Sequence, residues 1–222
     1  MRVPSRLMVA VAFCSLAIAG CQGSAPQPDS SPTPPSSGTA RLTVLNGAYS
    51  VEVVAGPVTQ SEALLATSNR GPTAYSVLAT PGGAYSLRFS GPGGGAQSWT
   101  VRLNRRPGWA VVVEGGTTHL VLNLSGLQVN SLVIAGGAYA MVVDLPPARA
   151  EVPVEVTGGA NRMTFVIARG SSATLVAGPG VSRVEGGSPE GSRRYVVGSG
   201  PAATGYQIRV TSGAALVVLS SS

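Results

Sequence analysis

Residues 111–145 read VVVEGGTTHLVLNLSGLQVNSLVIAGGAYAMVVDL. Val, Leu and Ile alternate with small or polar residues, the pattern of half-buried strands. Two Gly-Gly pairs, 115–116 and 136–137, interrupt the alternation 21 residues apart. The stretch therefore holds a strand, a tight turn and a second strand, and then holds them again.

The same unit extends in both directions when the chain is aligned on Gly47, Gly83, Gly116, Gly137, Gly159 and Gly213. Five and three residues before each glycine stand Leu42/Val44, Leu78/Thr80, Val111/Val113, Leu132/Ile134, Val154/Val156 and Ile208/Val210. Four and six residues after stand Val51/Val53, Leu87/Phe89, Leu120/Leu122, Met141/Val143, Met163/Phe165 and Val217/Leu219. Of these 24 positions only Thr80 is not apolar. Alternate residues on both sides of each turn thus face a common core. The residue before each glycine is Asn46, Gly82, Gly115, Gly136, Gly158 or Ser212. Asn and Gly tolerate the positive φ of sharp corners, which predicts that conformation there. A degenerate copy around Gly180 continues the period. The longer gaps predict extra loops at 56–72, 91–97 and 186–205.

Two architectures can use this unit. Gly-Gly between two strands is a hairpin signal, which leads to an antiparallel β-sandwich. Alternatively the turn is a corner, and each period is one coil of a single-stranded right-handed parallel β-helix, a β-solenoid. The near-constant period of 21–22 residues without helical connectors favours the solenoid, with three short strands and three corners per coil.

Upstream of the repeat the chain changes character. Arg2 and Arg6 precede a 13-residue apolar run at 7–19. That run is too short for a membrane-spanning helix, which needs roughly 20 residues, but it fits the core of a signal peptide. It ends in Ile18-Ala19-Gly20-Cys21, which resembles the bacterial lipobox. The expected organisation is a lipoprotein signal peptide at 1–20, lipidated Cys21 with a Pro/Ser-rich tether at 21–40, and one domain at 41–222. Residues 22–40 contain five Pro and five Ser, and such a tether reaches roughly 60 Å when extended. Cys14 falls in the discarded leader, so the exported chain keeps a single cysteine and forms no disulfide. Its expected location is the bacterial cell membrane or outer membrane, anchored by Cys21.

Composition narrows the chemistry. All 15 basic residues are arginine, and there is one histidine. A Walker A loop lacks its lysine. Zinc sites with several His or Cys ligands cannot form. With Arg2 and Arg6 removed, 13 arginines face 9 acids, a net charge of +4. They are scattered rather than striped, which argues against nucleic acid. High glycine normally signals disorder, but 44% hydrophobic residues with 11% charged do not.

The segments HLVLNLSGLQVNSLVIAGGAYAMVVDLP (119–146), VPVEVTGGANRMTFVIA (152–168) and YQIRVTSGAALVVL (206–219) look like the bacterial auto-transporter adhesin families, the head-GIN and toast-rack adhesin-like domains. They are also similar to the C-terminal domain of LiaF-type cell-wall-stress proteins. The resemblance implies a β-helix-like fold in the cell envelope, and it brings no catalytic residue set.

The residues themselves offer few sites. His119 should point outward and has no partner ligand for a metal. Glu114, Asp144, Glu151 and Glu155 are the acids a glycosidase would pair, but charges spacing out a sheet surface to block edge pairing explain them better. The Gly-rich 91–95 has no helix after it and is a loop. Tyr49, Tyr85 and Tyr139 each lie two residues after an aligned glycine, where a ring with a polar tip could meet a glycan or protein. The expectation is a non-enzymatic, cofactor-free adhesin-like lipoprotein, its partners the membrane and an envelope glycan or membrane protein. An accessory or sensory role in envelope stress is the alternative.

Overall fold

The alternation does produce strands. The computed structural model describes residues 38–58, 62–69, 75–89, 97–201 and 204–222, and the described residues contain no helix. In chain order the strands are β1 (Thr39–Val44), β2 (Ser50–Ala55), β3 (Leu64–Ser68), β4 (Tyr75–Thr80), β5 (Ala84–Phe89), β6 (Ser98–Leu103), β7 (Gly108–Val113), β8 (Thr117–Asn123) and β9 (Gln128–Ile134). They continue as β10 (Ala138–Leu145), β11 (Val152–Val156), β12 (Ala160–Ile167), β13 (Ser172–Ala177), β14 (Val184–Glu185), β15 (Ser188–Pro189), β16 (Arg194–Gly198), β17 (Gly205–Val210) and β18 (Ala214–Ser221).

Two sheets face each other. The first has the order β15-β16-β13-β17-β11-β9-β7-β1-β5-β4, the second β14-β18-β12-β10-β8-β2-β6-β3. A coil is one strand in the first sheet, a corner, and one strand in the second. A coil therefore has two strands rather than three. Inner neighbours pair in parallel, as in β7 with β9 and β8 with β10. The antiparallel alternative occurs only at the ends, where β4 pairs with β5, β3 with β6, and β16 with β13 and β15. The longer gaps expected as loops thus supply cap strands, which protect the open ends of the stack.

Stacking is not in chain order at either end. The first coil, β1/β2, lies between β5/β6 and β7/β8. The last, β17/β18, lies between β11/β12 and β13/β14.

The core is a set of ladders between the sheets. Register aligns Leu42, Tyr85, Val111, Leu132, Val154, Ile208 and Leu175 into one buried row. Opposite it run Val51, Trp99, Leu120, Met141, Met163 and Val217. At the β5/β6 end the filling turns aromatic: Phe89 stacks on Trp99 at 4.6 Å, and Tyr75 meets the same indole edge-on at 6.2 Å.

The copy aligned on Gly83 differs from the rest. Pro81-Gly82-Gly83 is the loop of the β4–β5 hairpin, with positive φ at both glycines. Consequently Leu78 is on the cap surface, 67% exposed, while Leu87 and Phe89 belong to the first sheet. The other five copies bury every aligned apolar residue.

The corner glycines proper do not have positive φ. Their constraint is close approach between stacked backbones. A Cβ on Gly158 would strike the Gly136 carbonyl, one on Gly136 the Gly115 carbonyl, and one on Gly115 the backbone of Asn46 and Gly47. Asn46 stands where the next corner is longer, and its amide acts as a strand edge: Nδ2 donates to the Phe89 carbonyl at 2.7 Å, and Oδ1 accepts from the Phe89 N–H at 2.8 Å. Ser212, at the same position, donates its hydroxyl to the Gly158 carbonyl at 2.7 Å.

The first glycine of each pair is therefore the restrictive one. Backbone cannot yield as a side chain does, so Gly136→Ala should cost about 3 kcal/mol and lower Tm by roughly 10 °C. At Gly137 an added Cβ meets only the Gly159 carbonyl, at 3.3 Å. Gly137→Ala should shift Tm by no more than about 3 °C. Equal losses in a calorimetric scan would show that close stacking is not the constraint.

Candidate functional site

Register carries Tyr49, Thr118 and Tyr139 into one row across β2, β8 and β10. Tyr49 is 45% and Tyr139 63% exposed. They are two strands apart, about 10 Å along the stack. The His119 imidazole, half-buried, packs edge-on against the Tyr49 ring at 5.4 Å. The row forms an aromatic ledge at the end of the second sheet's strands that follows the glycine corners.

Tyr85 does not join them. It follows a hairpin loop rather than a corner, pairs with Leu42 in the first sheet, and is 2% exposed. Its ring packs against Trp109 at 6.1 Å, and burial raises the pKa of its phenol. As a surface contact residue Tyr85 is thus corrected to core. Cys21, the leader, most of the tether and the 91–95 loop lie outside the described residues.

The acids are dispersed. Glu114 lies by a glycine corner, Asp144 on the outer face of β10, and Glu155 on the outer face of β11. Glu151 is at the opposite edge from Glu114, just before β11. No group of three or more His, Cys, Asp or Glu that could hold a metal occurs among the described residues.

A groove lies at that opposite edge, where the second sheet returns to the first. Its volume is about 590 Å³, and Arg105, Arg106, Arg149 and Glu151 line it with Leu127 and Pro146. Three return turns build it: 104–107 between β6 and β7, 124–127 between β8 and β9, and 146–151 between β10 and β11. They lie side by side because the strands they lead into, β7, β9 and β11, are neighbours in the first sheet.

Each turn is held from beneath. Buried Asn104 donates Nδ2 to the Glu62 carbonyl at 2.8 Å and accepts the Arg106 N–H at 3.0 Å. Its own carbonyl takes the Trp109 Nε1–H at 2.8 Å. In the second turn Leu127 N–H bonds back to Leu124 at 3.0 Å, with Gly126 at φ 80°. That is the left-handed third position for which glycine is the ready residue. In the third, the buried Tyr206 hydroxyl donates to the Pro146 carbonyl at 2.5 Å, and Ser171 Oγ accepts from Ala148 N–H at 2.9 Å.

Sequence reasoning missed this groove. Arg149 lies 43 and 44 positions beyond the adjacent pair Arg106 and Arg105, and the three carry no local motif. Only the parity of the return turns could have placed them on one edge.

Several comparisons bear on the whole domain. The family described as the N-terminal domain of toast_rack, DUF2154, matches residues 50–166. A solved structure from Clostridium sporogenes ATCC 15579, whose description proposes cell adhesion, superposes with a TM-score of 0.67 at 13% identity. The match covers 88% of this chain and 96% of that one. None of the curated proteins matches the chain.

Burial, and secondarily the Asp144 carboxylate, push the Tyr206 phenol above its ordinary 10.0. The unfolded chain therefore ionises first. Tyr206 leaves stability unchanged below about pH 10 and erodes it above, as the unfolded state is favoured. Tyr206→Phe should lower Tm by roughly 3–8 °C at neutral pH, because the buried Pro146 carbonyl loses its donor. It should also make the alkaline loss shallower in melts from pH 8 to 11. An unchanged neutral Tm would contradict the bond's role.

Proposed function

The chain belongs to the toast_rack N-terminal domain family, and from that premise we propose that it is a non-enzymatic, lipid-anchored envelope protein. Its solenoid presents a surface for adhesion to an envelope polymer or protein. The carrying observation is the family match over more than half the chain. The related fold of a protein described as adhesive supports the same role. Rigid stacked strands hold Tyr49 and Tyr139 at a fixed spacing, a geometry suited to sugar rings or a protein surface.

The anchor follows from the sequence. A basic start, a short apolar core and Ile18-Ala19-Gly20-Cys21 supply what a lipoprotein signal peptidase and a diacylglycerol transfer to Cys21 require. We take the coils to wind right-handed, as parallel crossover connections almost always do. A sensory role in envelope stress is the second reading, favoured by the similarity of 119–168 to LiaF-type domains. Deleting the gene separates the two: lost attachment supports adhesion, and altered envelope-stress transcription with normal attachment supports sensing.

Cys21→Ser should move the protein from the membrane fraction to the soluble fraction. Retention in the membrane fraction would show that the thiol is not the anchor. The double variant Tyr49→Ala with Tyr139→Ala should keep its Tm within about 3 °C, since exposed substitutions change little, and should lower binding to purified envelope polymers at least about threefold. Full binding would remove the ledge from the contact surface.

A further inference from the structure

The groove between the three return turns has a charge and a position that adhesion through the tyrosine ledge does not use. Arg105, Arg106 and Arg149 are exposed and line one hollow of about 590 Å³ with one carboxylate, Glu151, a net charge of +2. Among the described residues the ion pairs are Arg183–Glu185 and Arg194–Glu190. No groove arginine takes part in either. Like charges gathered around one hollow repel, and an anion seated among them relieves that repulsion. Here Asn104, Tyr206 and Ser171 fix the backbone beneath those side chains. The turns fix the backbone positions from which the three arginine side chains reach the hollow, which lowers part of the ordering cost of binding.

Guanidinium forks match the oxygens of phosphate and carboxylate. A single carboxylate carries one negative charge, whereas a net +2 suits a phosphate dianion or two successive phosphodiesters. Leu127 and Pro146 add an apolar wall beside the charge. We propose that this groove is a binding site for a phosphate group.

The groove also lies where the chain enters the solenoid. Asn130, which lines it, donates Nδ2 to Thr39 Oγ1 at 2.7 Å in the first strand. The tether ahead of β1 therefore leaves from this edge, not from the tyrosine ledge. A lipid at Cys21 keeps this edge within tether reach of anionic headgroups, so the favoured source of the phosphate is a phospholipid headgroup. That preference rests on the anchored reading, while the site does not.

The test is calorimetric titration of the full chain at about 150 mM salt, where long-range attraction is screened. Two probes are used: inorganic pyrophosphate and monomeric dihexanoyl phosphatidic acid, whose phosphomonoester approaches a dianion at neutral pH. Both should bind, the lipid more tightly. The variant Arg105→Gln with Arg149→Gln should weaken binding at least tenfold at unchanged Tm. Arg209→Gln, an exposed arginine on the first sheet's outer face, should change it less than twofold. Equal binding of both probes upholds the phosphate site and overturns the lipid source. Absence of binding, or an equal loss in Arg209→Gln, overturns the site. Because Cys21 fractionation is read separately, loss of the anchor and loss of the site are distinguishable.

Discussion

Everything in this domain depends on how closely one coil can lie on the next. Strands that share a ladder sit about 4.8 Å apart, and the corners joining the sheets must keep that spacing. At the corners the backbones of Gly115, Gly136 and Gly158 come so close that no Cβ fits between them. The ladder sets the pitch, and glycine is the residue that lets the corner keep it. Once the corners stack, the apolar rows on both sides come into register, and the core follows without further instruction.

At two corners a polar side chain takes the place of the first glycine. Asn46 faces a neighbouring corner that is longer and turns its amide into two strand-like hydrogen bonds with Phe89. Ser212 spends its hydroxyl on the carbonyl of Gly158. Both are compensated departures from the repeat. At the β5/β6 end, where no further coil follows, the core is closed by Phe89, Trp99 and Tyr75. With few aromatic residues in the chain, this concentration makes the end a plug rather than another layer.

The repeat was legible in the sequence because glycine phase and apolar parity are local. The inner coils β7/β8, β9/β10 and β11/β12 were found with their strands in the right faces, and so was the degenerate coil around Gly180. What failed was also physical. Gly82-Gly83 has the same letters as a corner, but the segment before it is polar at Thr80 and exposed at Leu78. That was the warning that Gly83 closes a hairpin, and it moved Tyr85 from the surface to the core. The reason given for the corner glycines was wrong as well. Positive φ is a property of one residue, whereas the real constraint comes from the coil above. The exchange of coil order at each end, and with it the arginine groove, depends on pairings between distant segments. No local pattern encodes those.

The exchange of order has a mechanical consequence. A strand at the end of a stack is held on one side only, and a pull on it can peel hydrogen bonds one at a time. β1 is instead paired along both edges, to β5 and to β7, over four and six register positions. A force on β1 directed along the strand loads both ladders in shear, many bonds at once. β17 has the same protection between β11 and β13. β1 and β17 thus sit inside the first sheet, while the hairpin and cap strands β4 and β15 occupy its margins. A domain hung from its N-terminal segment, as proposed for this chain, would gain from this arrangement, because the load would enter through the interior of the stack and not at an edge that could unzip.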